Sequence, residues 1–156
     1  MSVFMSVLAV VMMVLVDQAV KYWAVTMLAP VGTIPLLPGI LQLTYVENRG
    51  AAFSILENQI WFFVILAFAI LCGIVYVLRT GRIQTTLGKV ALLIIAAGAM
   101  GNAIDRMFRH YVVDMIETVF ITFPVFNIAD IYVCVGVALF AVYYLFIHKD
   151  EEETKQ

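Results

Sequence analysis

Two aspartates are placed where they could carry out acid–base chemistry together. Asp114 interrupts an apolar run at residues 111–116, and Asp130 follows Asn127 by three positions at the start of another apolar stretch. Two carboxyl groups held close together cannot both ionise cheaply, so they share one proton. The ionised group can then activate a water molecule while its neighbour protonates a leaving group. The pair therefore indicates the chemistry of an aspartic protease, which needs neither a metal ion nor a nucleophilic side chain.

Asn127 and Asp130 also have a simpler explanation. An asparagine at the start of a helix caps free backbone amides, and an aspartate in the first turn interacts favourably with the helix dipole. Helix capping alone would account for both residues without catalysis. Asp114 favours the catalytic interpretation, because a carboxylate within an apolar run is poorly placed to serve solubility alone.

Asn102 and Arg106 form a second polar group, one helical turn apart and with Asp105 beside them. They would serve either as a charged anchor at a membrane interface or as groups that hold a substrate backbone and stabilise a tetrahedral intermediate. The sequence leaves both roles open. Gly98 and Gly101 precede them, and small residues of this kind allow neighbouring helices to approach closely.

Other hydrolytic chemistries are less well supported by the sequence. Metal-dependent hydrolysis is disfavoured, because His110 and His148 are predicted to lie on opposite sides of a membrane and the sequence contains no HExxH motif. Ser54 with Lys21 is a stronger alternative, since a serine and a deprotonated lysine can perform acyl transfer. Lys21 follows Asp17 by four positions, however, and an ion pair on one helix face would keep the lysine protonated.

The composition is that of a membrane protein. Of the 156 residues, 64% are hydrophobic and 13% are charged, and the net charge of -2 argues against a nucleic-acid partner. Four apolar stretches approach the roughly 20 residues that a spanning helix needs. The predicted spans are residues 3–27, 60–78, 87–104 and 128–147, within one domain of residues 1–156. The two cysteines, Cys72 and Cys134, fall within spans, where neither a disulfide nor a metal site is expected.

Four spans place both termini on one side of the membrane and the connections 28–59 and 105–127 on the other. Five basic residues lie on the first side and three on the second, which predicts that the termini are cytoplasmic. The five on the side of the termini are Arg79, Arg82, Lys89, Lys149 and Lys155, and the three on the other side are Arg49, Arg106 and Arg109. The polar residues without an evident anchoring role gather near the second side, and ionisable groups at membrane depth normally mark function. They are Asp17, Lys21, Asn48, Arg49, Asn102, Asp105, Arg106, Asp114, Asn127 and Asp130.

The first outer connection is predicted to contain a β-strand, because residues 41–45 alternate between apolar and polar side chains. Pro35, Pro38 and Gly39 interrupt the chain just before it. We expect a small sheet whose apolar face lies against the membrane or the substrate. The predicted fold is an all-α membrane protein with four transmembrane helices and a small extracytoplasmic β-sheet and loop region.

Five short segments, in order along nearly the whole chain, resemble those of the lipoprotein signal peptidases. They are DQAVK from Asp17, ENRGAAFS from Glu47, GAMGNAIDR from Gly98, VVD from Val112 and FNIAD from Phe126. The resemblance implies a membrane aspartyl endopeptidase of the signal peptidase II type. Such enzymes remove the signal peptide of a diacylglyceryl-modified prolipoprotein just before the lipidated cysteine, and they are the target of the cyclic peptide globomycin.

The resemblance also implies roles for individual residues. Asp114 and Asp130 would be the catalytic pair, and Asp17 and Lys21 would form a structural pair behind it. The supporting or substrate-binding residues would be Asn48, Gly50, Asn102, Arg106 and Asn127. Neither a cofactor nor a metal is implied. The expected partners are the lipid-modified prolipoprotein and membrane lipids, and the protein is expected to be a monomer in the bacterial cytoplasmic (inner) membrane.

The residues suggest one further expectation and leave two alternative functions open. Arg49 and the small residues 50–52 would let the outer loop close over a substrate. A proton-coupled transporter would also use membrane aspartates, but its coupling site would lie near the midplane at a repeat interface, and the sequence contains no detectable repeat. A non-catalytic assembly subunit is the other alternative, for which replacement of either aspartate would change abundance more than activity.

Overall fold

The computed structural model describes residues 2–50 and 56–147. It contains four long helices, each apolar and long enough to cross a membrane. They are α1 (Val3–Trp23, continued by a π-helical turn at Ala24–Leu28), α2 (Ile60–Arg79), α3 (Thr86–Arg109) and α4 (Ile128–Val142, continued by a π-helical turn at Tyr143–Ile147). The predicted multi-pass membrane architecture is therefore confirmed. Ser54, the residues 51–52 of the proposed mobile loop, His148, Lys149 and Lys155 lie outside the described residues.

Helix α3 extends to Arg109, beyond the predicted end of the third span at residue 104. Asp105 and Arg106 therefore lie within the helix and not in the following loop. The helix can continue through these charged residues because Asp105 is paired with Lys21, whose Nζ is 3.1 Å from it. His110 ends the helix in a left-handed conformation with φ 64°.

The connections on one side of the helices form a three-stranded antiparallel sheet. Its strands are β1 (Thr33–Leu37), β2 (Leu41–Asn48) and β3 (Val112–Thr118), in the order β1-β2-β3. The predicted strand at residues 41–45 is thus confirmed, whereas β3 was not predicted. Pro35 lies in the edge strand β1, where the missing backbone N–H costs the sheet least.

The apolar face of the sheet packs against protein, which corrects the expectation that it faces the membrane or the substrate. Val113 and Met115 of β3 are buried together with Ala24 and Leu28 at the end of α1. Because β2 lies between two partners, nearly all of its residues are half-buried, and the predicted alternation of buried and exposed positions is not observed. These contacts attach the sheet to the end of α1.

Helix α3 packs against each of the other three helices. Its buried residues are mainly small, which lets the helices approach closely where no hydrophobic effect drives them together. A side chain at Gly98 would collide with the carbonyl oxygen of Ala129 on α4, and one at Gly136 would lie 2.7 Å from Ile95 on α3. The close α3–α4 contact brings the outer end of α3 beside the first turn of α4. Cys72 and Cys134 are free thiols on exposed surfaces of α2 and α4.

Candidate active site

Asp114 lies in strand β3 and is 2% exposed. Its two carboxyl oxygens accept hydrogen bonds from two asparagines that come from different parts of the fold. Asn48, at the end of β2, donates to Oδ2 over 2.9 Å, and Asn127 donates to Oδ1 over 2.6 Å. The pairing of β2 with β3 places Asn48 opposite Val112, so the sheet register brings its amide to the Asp114 carboxyl. Both oxygens are therefore held in a fixed orientation.

Asp130 lies in the first turn of α4 and is partly buried. Its Oδ2 accepts the backbone N–H of Asn127 over 3.1 Å, and the Asn127 side chain in turn accepts the backbone N–H of Asp130 over 2.9 Å. This is the capping box that satisfies free amides at a helix start. The other carboxyl oxygen, Oδ1, accepts a 2.7 Å hydrogen bond from Asn102 of α3. The capping role that the sequence left open is thus present, and the same two residues also take part in the polar cluster.

Asn127 connects the two aspartates directly, because its side-chain amide binds Asp114 while its backbone amide binds Asp130. The pKa of Asp114 is raised from its ordinary value of 3.8 to about 6, first by burial and then by the charge of Asp130. The hydrogen bonds from Asn48 and Asn127 oppose this rise. Asp114 is consequently the carboxyl that retains a proton more readily than an ordinary aspartate.

A fully buried cluster of three charged residues lies behind the two aspartates. Lys21 Nζ is 3.1 Å from Asp17 Oδ2 and 3.1 Å from Asp105 Oδ2, and all three side chains are 0% exposed. Lys21 also donates a 2.8 Å hydrogen bond to Asn102 Oδ1. Its ammonium group therefore has three close acceptors. This arrangement disfavours Lys21 as the general base for a serine nucleophile, the role that the alternative with Ser54 requires.

Arg106 reaches toward the loop that follows β2. Its Nη2 donates a 2.9 Å hydrogen bond to the carbonyl oxygen of Gly50, and its guanidinium lies 4.7 Å from the centre of the Phe63 ring. The Gly50 N–H donates to Asn48 Oδ1 over 2.9 Å. Arg106 thus holds Gly50, whose N–H in turn binds the Asn48 side chain at the end of β2.

A cleft of about 310 Å³ opens beside Asp114. The lining residues that the structure describes come from the connections outside the helix bundle, and they include Glu47, Arg49, Thr122 and Phe123. Arg49 Nη2 lies 3.4 Å from Glu47 Oε2 at the exposed rim. Asp114 is itself one of the lining residues of this cleft.

The sequence of this chain closely matches those of known proteins. A family model described as "Signal peptidase (SPase) II" matches residues 9–146. The chain belongs to the signal peptidase II family. It is 43% identical over 136 residues to "Lipoprotein signal peptidase" of Streptococcus pyogenes serotype M5 (strain Manfredo), with 87% of this chain and 90% of that protein covered. It is 42% identical, with the same coverage, to the protein of that name from serotype M3 (strain SSI-1).

Two solved structures have the same fold as this signal peptidase II family member. One, reported as "Bacterial membrane enzyme structure by the in meso method at 2.3 A resolution", is 36% identical with a TM-score of 0.85, covering 92% of this chain and 88% of that one. The other, reported with the same wording at 1.9 A resolution, is 35% identical with a TM-score of 0.83, covering 93% and 95%. The resemblance inferred from the five sequence segments is therefore confirmed.

The structure gathers all nine candidate site residues within one polar network, and it adds two that the sequence did not assign. Asp105 pairs with Lys21, and Gln18 donates to Asp17 Oδ2 and to the carbonyl oxygen of Gly101, each over 3.1 Å. Asp105 was noted as a neighbour of Arg106 and as one of the polar residues near the second side of the membrane, but it was given no role in the site. Two features of the sequence could have identified Asp105 as part of the site. It lies in a long apolar helix, and α1 contains a lysine, Lys21, near its corresponding end.

Proposed function

We propose that Asp114 and Asp130 are the catalytic carboxyl pair of this protease. Members of the signal peptidase II family remove signal peptides from prolipoproteins by an aspartyl mechanism, and this chain is a membrane hydrolase of that family. The observation that carries the assignment is the bridge through Asn127, which binds one carboxyl with its side chain and the other with its backbone. We propose that the scissile bond is the one just before the diacylglyceryl-modified cysteine.

The environments of the two carboxyls support different roles. Asp130 accepts a backbone N–H in the first turn of a helix, where an acidic side chain interacts favourably with the helix dipole. Asp114 is buried beside that charge, which favours its protonated form. Asp130 removes a proton from water, the resulting hydroxide attacks the peptide carbonyl carbon, and Asp114 protonates the carbonyl oxygen. On collapse, the proton on Asp130 passes to the departing amide nitrogen and Asp114 recovers its own.

The substrate reaches this pair laterally from the bilayer. Exposed apolar side chains cover the outer surfaces of α1 and α2, including Phe4, Leu15 and Phe68, so these surfaces face acyl chains. The acyl chains of the substrate remain among them while the peptide bond enters the polar cluster. Both carboxyls and the asparagine amides that bind them belong to the same chain, so this proposal requires no second copy of the protein.

The polar cluster lies at the extracytoplasmic face, and both termini are cytoplasmic. Arg79 and Arg82 at the connection between α2 and α3 support this orientation through the positive-inside rule. Single cysteines at Gln84 and Thr122, each in a background with Cys72 and Cys134 replaced by alanine, test it. A membrane-impermeant thiol reagent should label Thr122→Cys in intact cells and Gln84→Cys only after permeabilisation. The reverse pattern would overturn the orientation while leaving the chemistry in place.

The catalytic assignment is tested with purified protein and a diacylglyceryl-modified prolipoprotein peptide. Asp114→Asn and Asp130→Asn should each lower kcat by at least about a hundredfold, the scale of general acid–base catalysis, while remaining folded in detergent. Ser54→Ala should cleave like wild type. Retained cleavage by either asparagine variant, or loss in Ser54→Ala, would refute the carboxyl pair. Loss of protein abundance without loss of specific activity would instead favour the assembly subunit.

A further inference from the structure

Each carboxylate of the buried cluster also accepts a hydrogen bond from a backbone amide next to a proposed catalytic residue. Asp17 Oδ1 accepts the N–H of Ala129 over 3.0 Å, and Ala129 immediately precedes Asp130. Asp105 Oδ2 accepts the N–H of Val113 over 3.1 Å, and Val113 immediately precedes Asp114. Lys21 lies between the two carboxylates, 3.1 Å from each. One continuous path of charged contacts therefore joins the backbone before Asp114 to the backbone before Asp130.

We infer that Asp17, Lys21 and Asp105 are positioning residues that set the separation of Asp114 and Asp130. This inference rests on the proposed function, because the separation matters only if the two carboxyls act together. The three positioning residues touch neither carboxyl of the pair. They act on the two backbone segments, and Lys21 additionally orients Asn102.

The hydrogen bond from Ala129 to Asp17 satisfies one of the free backbone amides at the start of α4. The first amides of a helix have no intrahelical acceptor and must find one elsewhere. Asn127 Oδ1 accepts the N–H of Asp130, and Asp17 accepts the N–H of Ala129. The position of the first turn, and with it Asp130, is therefore fixed by a carboxylate from α1.

The contact with Val113 fixes the other segment in the same way. Val113 is fully buried, so its amide cannot be satisfied by water. Since Asp105 is on α3 and Val113 is on β3, this hydrogen bond ties the strand to the bundle at the residue before Asp114.

Lys21 also determines the orientation of the Asn102 side-chain amide, which could otherwise be turned either way. Its ammonium only donates, so Asn102 must point its oxygen toward Lys21. The Asn102 nitrogen then faces Asp130 and donates to Oδ1 over 2.7 Å. The three positioning residues thus control both the place of Asp130 and the hydrogen bond that its carboxyl accepts from Asn102.

The test varies the length of one positioning side chain while keeping its charge. Asp105→Glu can still pair with Lys21, but its extra methylene displaces the carboxylate from the Val113 amide. A displacement of about 1 Å in a catalytic arrangement costs on the order of a hundredfold in rate. Asp105→Glu should therefore lower kcat about tenfold or more with KM for the prolipoprotein peptide within about twofold, and Asp105→Ala should lower kcat further.

Arg109→Gln is the matched control, because Arg109 Nε lies 3.6 Å from Asp105 Oδ1 but contacts neither Val113 nor the catalytic pair. It should retain wild-type kcat and KM. All variants are compared in detergent well below their unfolding temperatures, so that a change in folded fraction does not enter kcat. Should Asp105→Ala fail to fold, Asp105→Glu carries the test alone.

The outcomes separate the two proposals. Wild-type kcat in folded Asp105→Glu, or an equal loss in Arg109→Gln, would overturn the positioning role while the carboxyl pair stands. Activity in Asp114→Asn or Asp130→Asn would refute the carboxyl pair itself, whatever Asp105→Glu does. A parallel rise in KM and fall in kcat would also contradict positioning, since it would indicate a disturbed substrate site.

Discussion

The side-chain amide of Asn127 lies 2.6 Å from Asp114 Oδ1. Asn127 is also the N-cap of α4, the helix that carries Asp130. Asn127 is therefore both a helix cap and the link between the two carboxyls. Asn127→Ser separates these functions, because serine also caps helices well but is too short to reach Asp114. We expect the melting temperature in detergent to change little and kcat to fall by about a hundredfold.

Thr85 provides the control for the capping part, since its hydroxyl accepts the Gly88 N–H at the start of α3, far along the helix from the polar cluster. Thr85→Ala should lose about 1 kcal/mol of stability and keep its kcat. If Asn127→Ser keeps wild-type activity, or if Thr85→Ala loses as much, then the contact with Asp114 does not contribute to catalysis.

The pH dependence of cleavage follows from the pKa of Asp114, which is raised to about 6 by burial and by the charge of Asp130. As pH rises through this value the proton that the mechanism needs is lost, so kcat/KM should fall by about tenfold per pH unit above it. Asn48→Ala removes a hydrogen bond that lowers this pKa, and the descending limb should therefore move to higher pH. An unshifted limb in Asn48→Ala would assign the titration to another group.

The same pKa predicts how stability changes with pH. A carboxyl whose folded pKa is raised from 3.8 to about 6 binds protons more tightly in the folded state, so its contribution is greatest at low pH and is lost as pH rises through about 6. Asp114→Asn should remove this decline in apparent melting temperature between pH 4 and pH 6. Glu117 is the opposite case, because hydrogen bonds from Gln42 and Thr44 lower its pKa and its contribution is lost as pH falls. Glu117→Gln should leave the decline due to Asp114 unchanged.

The sequence was sufficient to predict the four apolar helices, the central strand and the capped start of α4, because each depends on local pattern. Apolar length predicts a span, and an asparagine three residues before an aspartate predicts a capped start for α4. The end of α3 was not predictable in this way. Asp105 resembles a loop residue until Lys21, far away in the chain, is seen to neutralise it.

The connections within the polar cluster were also beyond the reach of local pattern. The Lys21 to Asn102 hydrogen bond joins residues 81 positions apart, and the Asp17 to Ala129 bond joins residues 112 apart. Strand β3 was missed for a related reason: its first four residues are buried on both faces, so they show no alternation. For these side chains the missing information is which distant residue forms the hydrogen bond, and for β3 it is which distant elements cover its two faces.

Loss of the Lys21 ammonium should be more damaging to stability than loss of an exposed basic residue. Lys21→Met leaves the Asp17 carboxylate buried without its counter-charge and leaves Asp105 with the more distant Arg109, 3.6 Å away. Removal of one partner from a buried ion pair costs about 3 to 5 kcal/mol. Arg79→Gln, at the exposed end of α2, should cost less than about 1 kcal/mol. Thermal denaturation of both variants in one detergent measures the difference. Equal melting temperatures would show that the two carboxylates do not need Lys21 to remain buried.

The close approach of α1, α3 and α4 can be tested at Gly101. A Cβ atom there would lie 2.5 Å from Asp17 Oδ2 and 3.2 Å from the Ala129 side chain, so Gly101→Ala must displace the carboxylate that holds the start of α4. We expect a loss of about 1 to 3 kcal/mol from overpacking. We also expect kcat to fall by about tenfold to a hundredfold as Asp130 moves.

Gly73 of α2 is the matched control, because a Cβ atom at this position meets no atom within 4 Å among the described residues. Gly73→Ala should be neutral or gain up to about 1 kcal/mol from the higher helix propensity of alanine, with kcat unchanged. Activity assays and melting curves on the two variants separate the effect of the contact from that of helix propensity. Wild-type kcat in Gly101→Ala would mean that Asp17 can shift without moving Asp130, which would contradict the link between the ion cluster and the start of α4.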